Sequence, residues 1–367
     1  MAALWGVNAI ACAPAANRLG PARQDQGWPA YLGTPRHDAS AAETLGPDPR
    51  RLWRFRAARA VRGAPAIGET ILAVGGTDRS ITLLDRASGE QLWSRDLKGT
   101  IHAGPLLDGD RLYVGTQQTP EGRVYALRLA DGKAAWNVET GGVEAPLALA
   151  GDAVFAGTED GTLYRLDRHR GRVVWRRRLA GAVRAGPVPT DHGVAVATTA
   201  DTVYLIESET GDVRARRATP GSVLATPATD GTQLYIGTME GHLLALALPE
   251  LRIVWDVRAG DPVYGAPALV RDTLFALTRA GALWLVPVHA PEEARRHALD
   301  VVAVAGPTPT RSGVLIGSVS GEVLLVSGDS GVVRWRTLVD GPVESPPLVR
   351  DRQLFVVGGR GDVHAYR

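Results

Sequence analysis

The chain has 367 residues, 45% apolar and 22% charged, with 43 Gly and 24 Pro; this excludes a disordered chain and favours many tight turns over long helices. The 41 basic and 39 acidic residues leave a formal net charge of +2, too balanced for a dedicated nucleic-acid binder. A single cysteine excludes an internal disulfide, a redox pair and a cysteine zinc site, and no run of ~18 apolar residues exists to cross a membrane as a helix.

Residues 1–26 read as a leader and flexible tether. The small residues ending in Ala9-Ile10-Ala11-Cys12 resemble a bacterial lipobox, in which the Cys thiol is acylated and the Cys becomes the new N-terminus. The cleaving peptidase admits the site only if a small residue precedes the Cys. Cys12 is therefore the expected lipidation site, and the expected location is the bacterial cell envelope, periplasmic and anchored to the outer membrane. A multiply acylated Cys holds stably where one chain would not. No Lys or Arg precedes the apolar stretch and Ala9 stands where Leu is usual, so a cysteine without a special role is the alternative.

Residues 27–50 form a lead-in, followed by a strand within 51–57 that begins Arg51-Leu52-Trp53-Arg54-Phe55. Next comes a repeat. A small residue followed by Pro recurs at Ala64-Pro65, Gly104-Pro105, Ala145-Pro146, Gly186-Pro187, Thr226-Pro227, Ala266-Pro267, Gly306-Pro307 and Ser345-Pro346, at intervals of 39 to 41 residues. Each copy then runs through a strand such as Arg111–Thr116, a Gly turn, an alternating strand such as Thr162–Asp167, and a second turn ending in Gly. Four short strands per copy describe a β-propeller blade, with the small-Pro step assigned to the innermost strand.

Four residues beyond the turn Gly stands Trp93, Trp136, Trp175 or Trp335, with Trp255 and Trp53 at the equivalent places in their copies. Two copies carry Ala215 and Arg295 there. One ring per blade, wedged against its neighbour, is the structural reading, preferred over ligand stacking. The last copy ends at Asp362–Arg367 with no fourth strand, while the first strand, 51–57, has no partner. Pairing the two closes an eight-bladed, all-β propeller spanning 51–367 and removes the open edges.

The repeat register also marks candidate sites. Two residues before the small-Pro step, or at the nearest equivalent, stand Arg62, His102, Glu144, Arg184, Leu224, Tyr264, Val304 and Glu344. A ligand in the channel mouth would touch these side chains; the alternative is that they solvate the funnel or pair with one another. A second candidate is the basic stretch with Arg165, Arg168, Arg170, Arg172, Arg176 and Arg178, whether a patch for an acidic partner or a charged rim strand that blocks edge pairing. Alternation divides this stretch between two faces. The eight His are scattered, without metal spacing or a catalytic constellation, so no catalytic residue, metal or cofactor is expected.

The Gly-x-x-x-Trp turn with its small-Pro step, and the lead-in Gly27-Trp28-Pro29-Ala30-Tyr31-Leu32-Gly33-Thr34, resemble the tryptophan-docked repeat of the pyrroloquinoline-quinone-like propeller family. One branch of that family, the quinoprotein dehydrogenases, holds its quinone with a vicinal cysteine pair and a calcium site; this chain has no such pair. The other branch consists of compact, non-enzymatic lipoproteins of the outer-membrane β-barrel assembly machine, similar in length, blade number and Cys-bearing leader. That branch carries an acidic Asp-x-Asp loop before one inner Pro, whereas the stretch 219–227 here is short and not acidic. The resemblance implies a non-catalytic envelope scaffold with a protein partner, the barrel-assembly machinery. The alternatives are a periplasmic propeller that binds or senses a small ligand or glycan, and then a quinoprotein oxidoreductase.

Overall fold

The computed structural model describes residues 31–34, 37, 38 and 40–367; the leader with Cys12, and Trp28 of the lead-in, lie outside the described residues. Thirty-two strands form eight separate four-stranded antiparallel sheets. Blades 1 to 7 span residues 66–96, 106–139, 148–178, 188–218, 228–258, 268–298 and 308–338, each from innermost strand A to outermost strand D. Blade 8 takes strands A to C from 348–366 and strand D from Arg51–Arg56.

Burial follows the radial position of each strand. The B strands are buried on both faces, as in Ile71–Gly75, so they read as continuous apolar runs. The D strands alternate exposed and half-buried positions, as in Val173–Arg178, because only one face meets the next blade. The core is distributed. Eight hydrophobic clusters each draw on two adjacent blades, for example Leu83 and Ile81 of blade 1 with Leu112 and Val114 of blade 2.

The small-Pro step falls one position before strand A, which begins at Ala66 in blade 1, rather than inside it. Here inner backbones of neighbouring blades touch. A Cβ on Gly104 would stand 2.2 Å from the Ala64 carbonyl oxygen, and one on Gly306 would stand 2.1 Å from that of Ala266. That contact explains why the residue before Pro is small.

The tryptophans tie each blade to the next one. Trp93 Nε1 donates to the Leu129 carbonyl at 2.7 Å, Trp136 to Arg168 at 2.9 Å, Trp175 to Ser208 at 2.9 Å and Trp255 to Val288 at 3.1 Å. Trp53 spans the closure, donating to Arg86 at 3.2 Å. The ring lies on the turn Gly of the next blade: a Cβ on Gly132 would meet Trp93 at 2.8 Å. The Gly and Trp of one repeat therefore serve two different interfaces.

Strand register confirms Ala215 and Arg295 at the Trp position, opposite Leu205 and Leu285. The residue two further along the same face then supplies the bond. Arg217 Nε donates to the Leu251 carbonyl at 2.9 Å, and His297 Nε2 reaches the Gly328 carbonyl at 3.0 Å. Blade 5 has also replaced its turn Gly by Leu251, which is fully buried with φ of +57°. Ala215 packs in the same cluster as Leu251, so a small residue on blade 4 faces a large one on blade 5.

Closure pairs Trp53 with Ala365, Arg54 with His364 and Phe55 with Val363. The ladder continues through Ala57 N–H to Gly361 O at one end and reciprocal bonds between Arg50 and Arg367 at the other. Arg54 pins the closing strand, reaching Asp362 at 3.0 Å and Asp340 of the blade 7–8 connection at 2.7 Å. The Asp362 side chain is 3% exposed, whereas Asp340 is half exposed. Arg54→Met is therefore expected to lower the melting temperature more than Asp340→Asn, because it strands a buried carboxylate; equal losses in a melting assay would contradict this.

The lead-in crosses the face carrying the A–B turns. His37 Nδ1 donates to the Pro267 carbonyl at 2.8 Å. Ser40 exchanges two bonds with the Val349 backbone, and the Leu45 backbone exchanges two with Ser312. Blades 6, 7 and 8 are thus clasped by backbone-directed bonds. Leu32 packs beside Val61, Ala64, Ala266 and Leu348 on the inner wall of the ring.

Candidate functional site

The inner strands start at the face carrying the D–A and B–C connections, so residues just ahead of them form a rim around the channel. All eight rim positions, Arg62, His102, Glu144, Arg184, Leu224, Tyr264, Val304 and Glu344, line one cavity of about 170 Å³. Tyr31 of the lead-in lines it as well, and burial pushes its phenol up to about 12.

The rim is two-sided. Blades 8, 1, 2, 3 and 4 contribute Glu344, Arg62, His102, Glu144 and Arg184, an unbroken arc of ionisable side chains. Blades 5, 6 and 7 contribute Leu224, Tyr264 and Val304, an apolar arc. The Arg279 guanidinium stands 5.9 Å from the Tyr264 ring centroid, within cation–π range.

The ionisable arc pairs internally. Arg62 Nε lies 3.6 Å from Glu344 Oε2, and His102 Nδ1 lies 3.4 Å from Glu144 Oε1. Arg184 bridges two carboxylates, at 3.5 Å to Glu144 and 3.3 Å to Glu159 of the blade 3 B–C turn. Gln117 Nε2 donates to Glu159 at 3.0 Å, and Thr100 Oγ1 bonds His102 Nε2 at 3.0 Å. Desolvation, with Glu159 nearby, raises the Glu144 carboxyl pKa; desolvation and then Arg62 lower that of His102. Glu159, Gln117 and Arg279 escape the repeat register because they come from B–C turns.

This donor set does not fit the quinone–calcium arrangement that the dehydrogenase branch implies. The mouth carboxylates are engaged by Arg184, His102, Gln117 and Arg62, and the sole Cys lies outside the propeller. Among the described residues no group of three His, Cys, Asp or Glu side chains is placed to hold a metal.

The basic stretch does not form one patch. Arg165 is buried and pairs with Asp152 and Glu209 at 3.2 and 3.0 Å. Arg168 pairs with Asp108 of blade 2, and Arg178 reaches Asp160 at 2.6 Å. Arg170, Arg172 and Arg176 are exposed, and Arg170 sits beside the Asp167 carboxylate, which its backbone N–H binds at 2.7 Å. Half of the stretch is thus neutralised within or between blades.

With the ring and its mouth defined, the comparisons with known proteins decide the lineage. A family described as "Outer membrane protein assembly factor BamB" matches residues 45–182, 159–290 and 281–367. The chain belongs to the BamB family. Among relatives, the BamB of Moranella endobia is 24% identical over 346 residues, covering 82% of this chain and 84% of that protein. The BamB of Legionella pneumophila is 24% identical over 197 residues, half of each chain. In structure, BamB from Moraxella catarrhalis superposes with a TM-score of 0.73 at 18% identity, covering 87% of this chain and 97% of that one. The quinohemoprotein alcohol dehydrogenase of Comamonas testosteroni superposes at 0.75 with 13% identity, covering 96% and 81%. These structural likenesses establish the propeller fold and, within the BamB family, say nothing of chemistry.

Proposed function

We propose that this chain is a non-catalytic scaffold of the bacterial cell envelope, presenting a rigid toroid to a protein partner in outer-membrane protein assembly. The family match across residues 45–367 carries this reading. Its relatives bear the name of assembly factors, and the barrel-assembly machinery is the partner that name points to. Cys12 is the proposed lipid anchor, tethering the ring to the periplasmic face of the outer membrane. A mouth whose ionisable side chains pair with one another supports recognition of a partner.

The test is deletion in the native host. Loss of the gene is expected to lower the level of folded outer-membrane barrels, and the chain expressed in trans to restore it; unchanged barrel levels would contradict the proposal. The two-sided mouth favours one second reading, a small amphipathic ligand seated between Tyr264 and the ionisable arc. A ligand of that kind would raise the melting temperature of wild type and not of Tyr264→Ala.

A further inference from the structure

A groove between blades 1 and 2 gathers the chain's only two lysines. Of 41 basic residues just Lys98 and Lys133 are not arginine, and both line one cavity of about 440 Å³. The other walls are Arg95, Asp96, Leu97, Arg123, Tyr125, Leu127 and the blade 2 C–D turn. Four cations line it with one acid, Asp96, while Glu139 and Asp131 stand at its edges.

The cations sit in two pairs. At the C–D turn end, Arg95 donates to the Asp131 carbonyl at 2.6 Å, beside Lys133. At the other end, Arg123 binds Asn137 and Glu139, each at 2.8 Å, and the Lys98 backbone N–H donates to the Tyr125 hydroxyl at 3.2 Å. Each pair has one arginine fixed by protein acceptors and one exposed lysine. Among the described residues no ion pair engages Lys98, and Lys133 acts only on the Asp131 carboxylate, which Arg128 already holds. Arg123 Nε is buried with no acceptor. Strand C of blade 2 places Arg123 and Leu127 four residues apart, so the two ends are separated by roughly 13 Å at ~3.3 Å per residue. Leu97, Tyr125 and Leu127 lie between them.

Planar arginines suit the fixed carbonyl and carboxylate contacts, whereas a lysine is a mobile point charge that adapts to a phosphate oxygen. We propose that this groove is an anion site for a ligand carrying phosphate at both ends of a span of roughly 13 Å. Two sources share that chemistry, a soluble polyphosphate chain and a bisphosphorylated glycolipid headgroup.

Two lysines make the test direct. Reductive methylation with 13C-formaldehyde keeps the charge and gives one dimethyl-lysine signal per residue. Linear hexaphosphate added to the folded chain at low salt is expected to shift both signals with one Kd, at least tenfold tighter than orthophosphate. Lys98→Gln and Lys133→Gln should each weaken binding about tenfold with melting temperature unchanged, and Arg176→Gln on blade 3 should not. Movement of neither or only one signal, or equal weakening by Arg176→Gln, would overturn the site. Lysine-dependent co-sedimentation with vesicles containing a bisphosphorylated, but not a monophosphorylated, glycolipid assigns the headgroup. Hexaphosphate binding without vesicle binding assigns the soluble polyanion.

Discussion

Replacing Ala215 by Trp is expected to destabilise the propeller alone and to be largely rescued by Leu251→Gly. Blade 4 offers Ala215 where most blades offer a Trp, and blade 5 answers with buried Leu251 where most offer Gly. A Trp at 215 would meet the Leu251 side chain, an overpacking that costs about 1–3 kcal/mol. Leu251→Gly alone empties that space at about 2–5 kcal/mol, offset in part by relief of about 1 kcal/mol from the left-handed backbone at φ +57°. Together the substitutions restore the arrangement seen between Trp93 and Gly132, where a Cβ would stand 2.8 Å from the ring. Chemical denaturation of the four proteins should give a favourable coupling of about 1–3 kcal/mol. Additive losses would mean that the two positions do not form one interface.

The second large effect is loss of stability between pH 7 and pH 5. His364 is 1% exposed on the closing blade, its ring stacked on Tyr366 and both nitrogens without a partner. Burial, with Arg54 and then Arg51 opposing a charge, holds it down at about 4, against the pull of Asp362 and Asp340. His37 of the lead-in, buried against the Pro267 carbonyl, is held at about 4 by the same desolvation. The unfolded chain takes up these protons near pH 6.5, whereas the folded chain does not until about pH 4. Stability contributed by the neutral rings is therefore present above pH 6.5 and falls as the pH drops toward 4. His364→Phe keeps the stacking and removes two orphan nitrogens, so it should remove roughly half of the loss these two residues produce and should not destabilise at pH 7. Melting curves at pH 7, 6 and 5 check this, and an unchanged slope would contradict it.

The repeat exposes the residues behind these two effects to different degrees. Blade number and ring closure are legible because the small-Pro step recurs eight times and the ends carry complementary fragments of one blade. The rim residues are legible for the same reason, since the small-Pro register, offset by one residue at Glu144 and Glu344, marks all eight positions around a single cavity. Their partners are not. Glu159 and Gln117 come from B–C turns, whose approach to the rim depends on blade tilt and not on spacing. Arg217 and His297 take over the Trp bond through strand alternation, which is visible only once Ala215 and Arg295 are placed in register. The lead-in clasp is silent in sequence because Ser40 and His37 bind backbone and Leu45 bonds Ser312 through its own backbone, which carries no side-chain pattern. The basic stretch shows the opposite failure: adjacent arginines suggest one patch, but Asp108 and Glu209 from neighbouring blades neutralise part of it. Sequence places the two lysines 35 positions apart, and only the packing of blade 1 on blade 2 joins them in one groove.

The measurement that bears most directly on the scaffold role is a tagged pull-down from detergent-solubilised envelopes of the native host, read by mass spectrometry. The account predicts stoichiometric recovery of the barrel-assembly protein with periplasmic repeats, reduced when the rim is altered by Arg184→Glu. A folded, membrane-associated bait that recovers no such protein would contradict it.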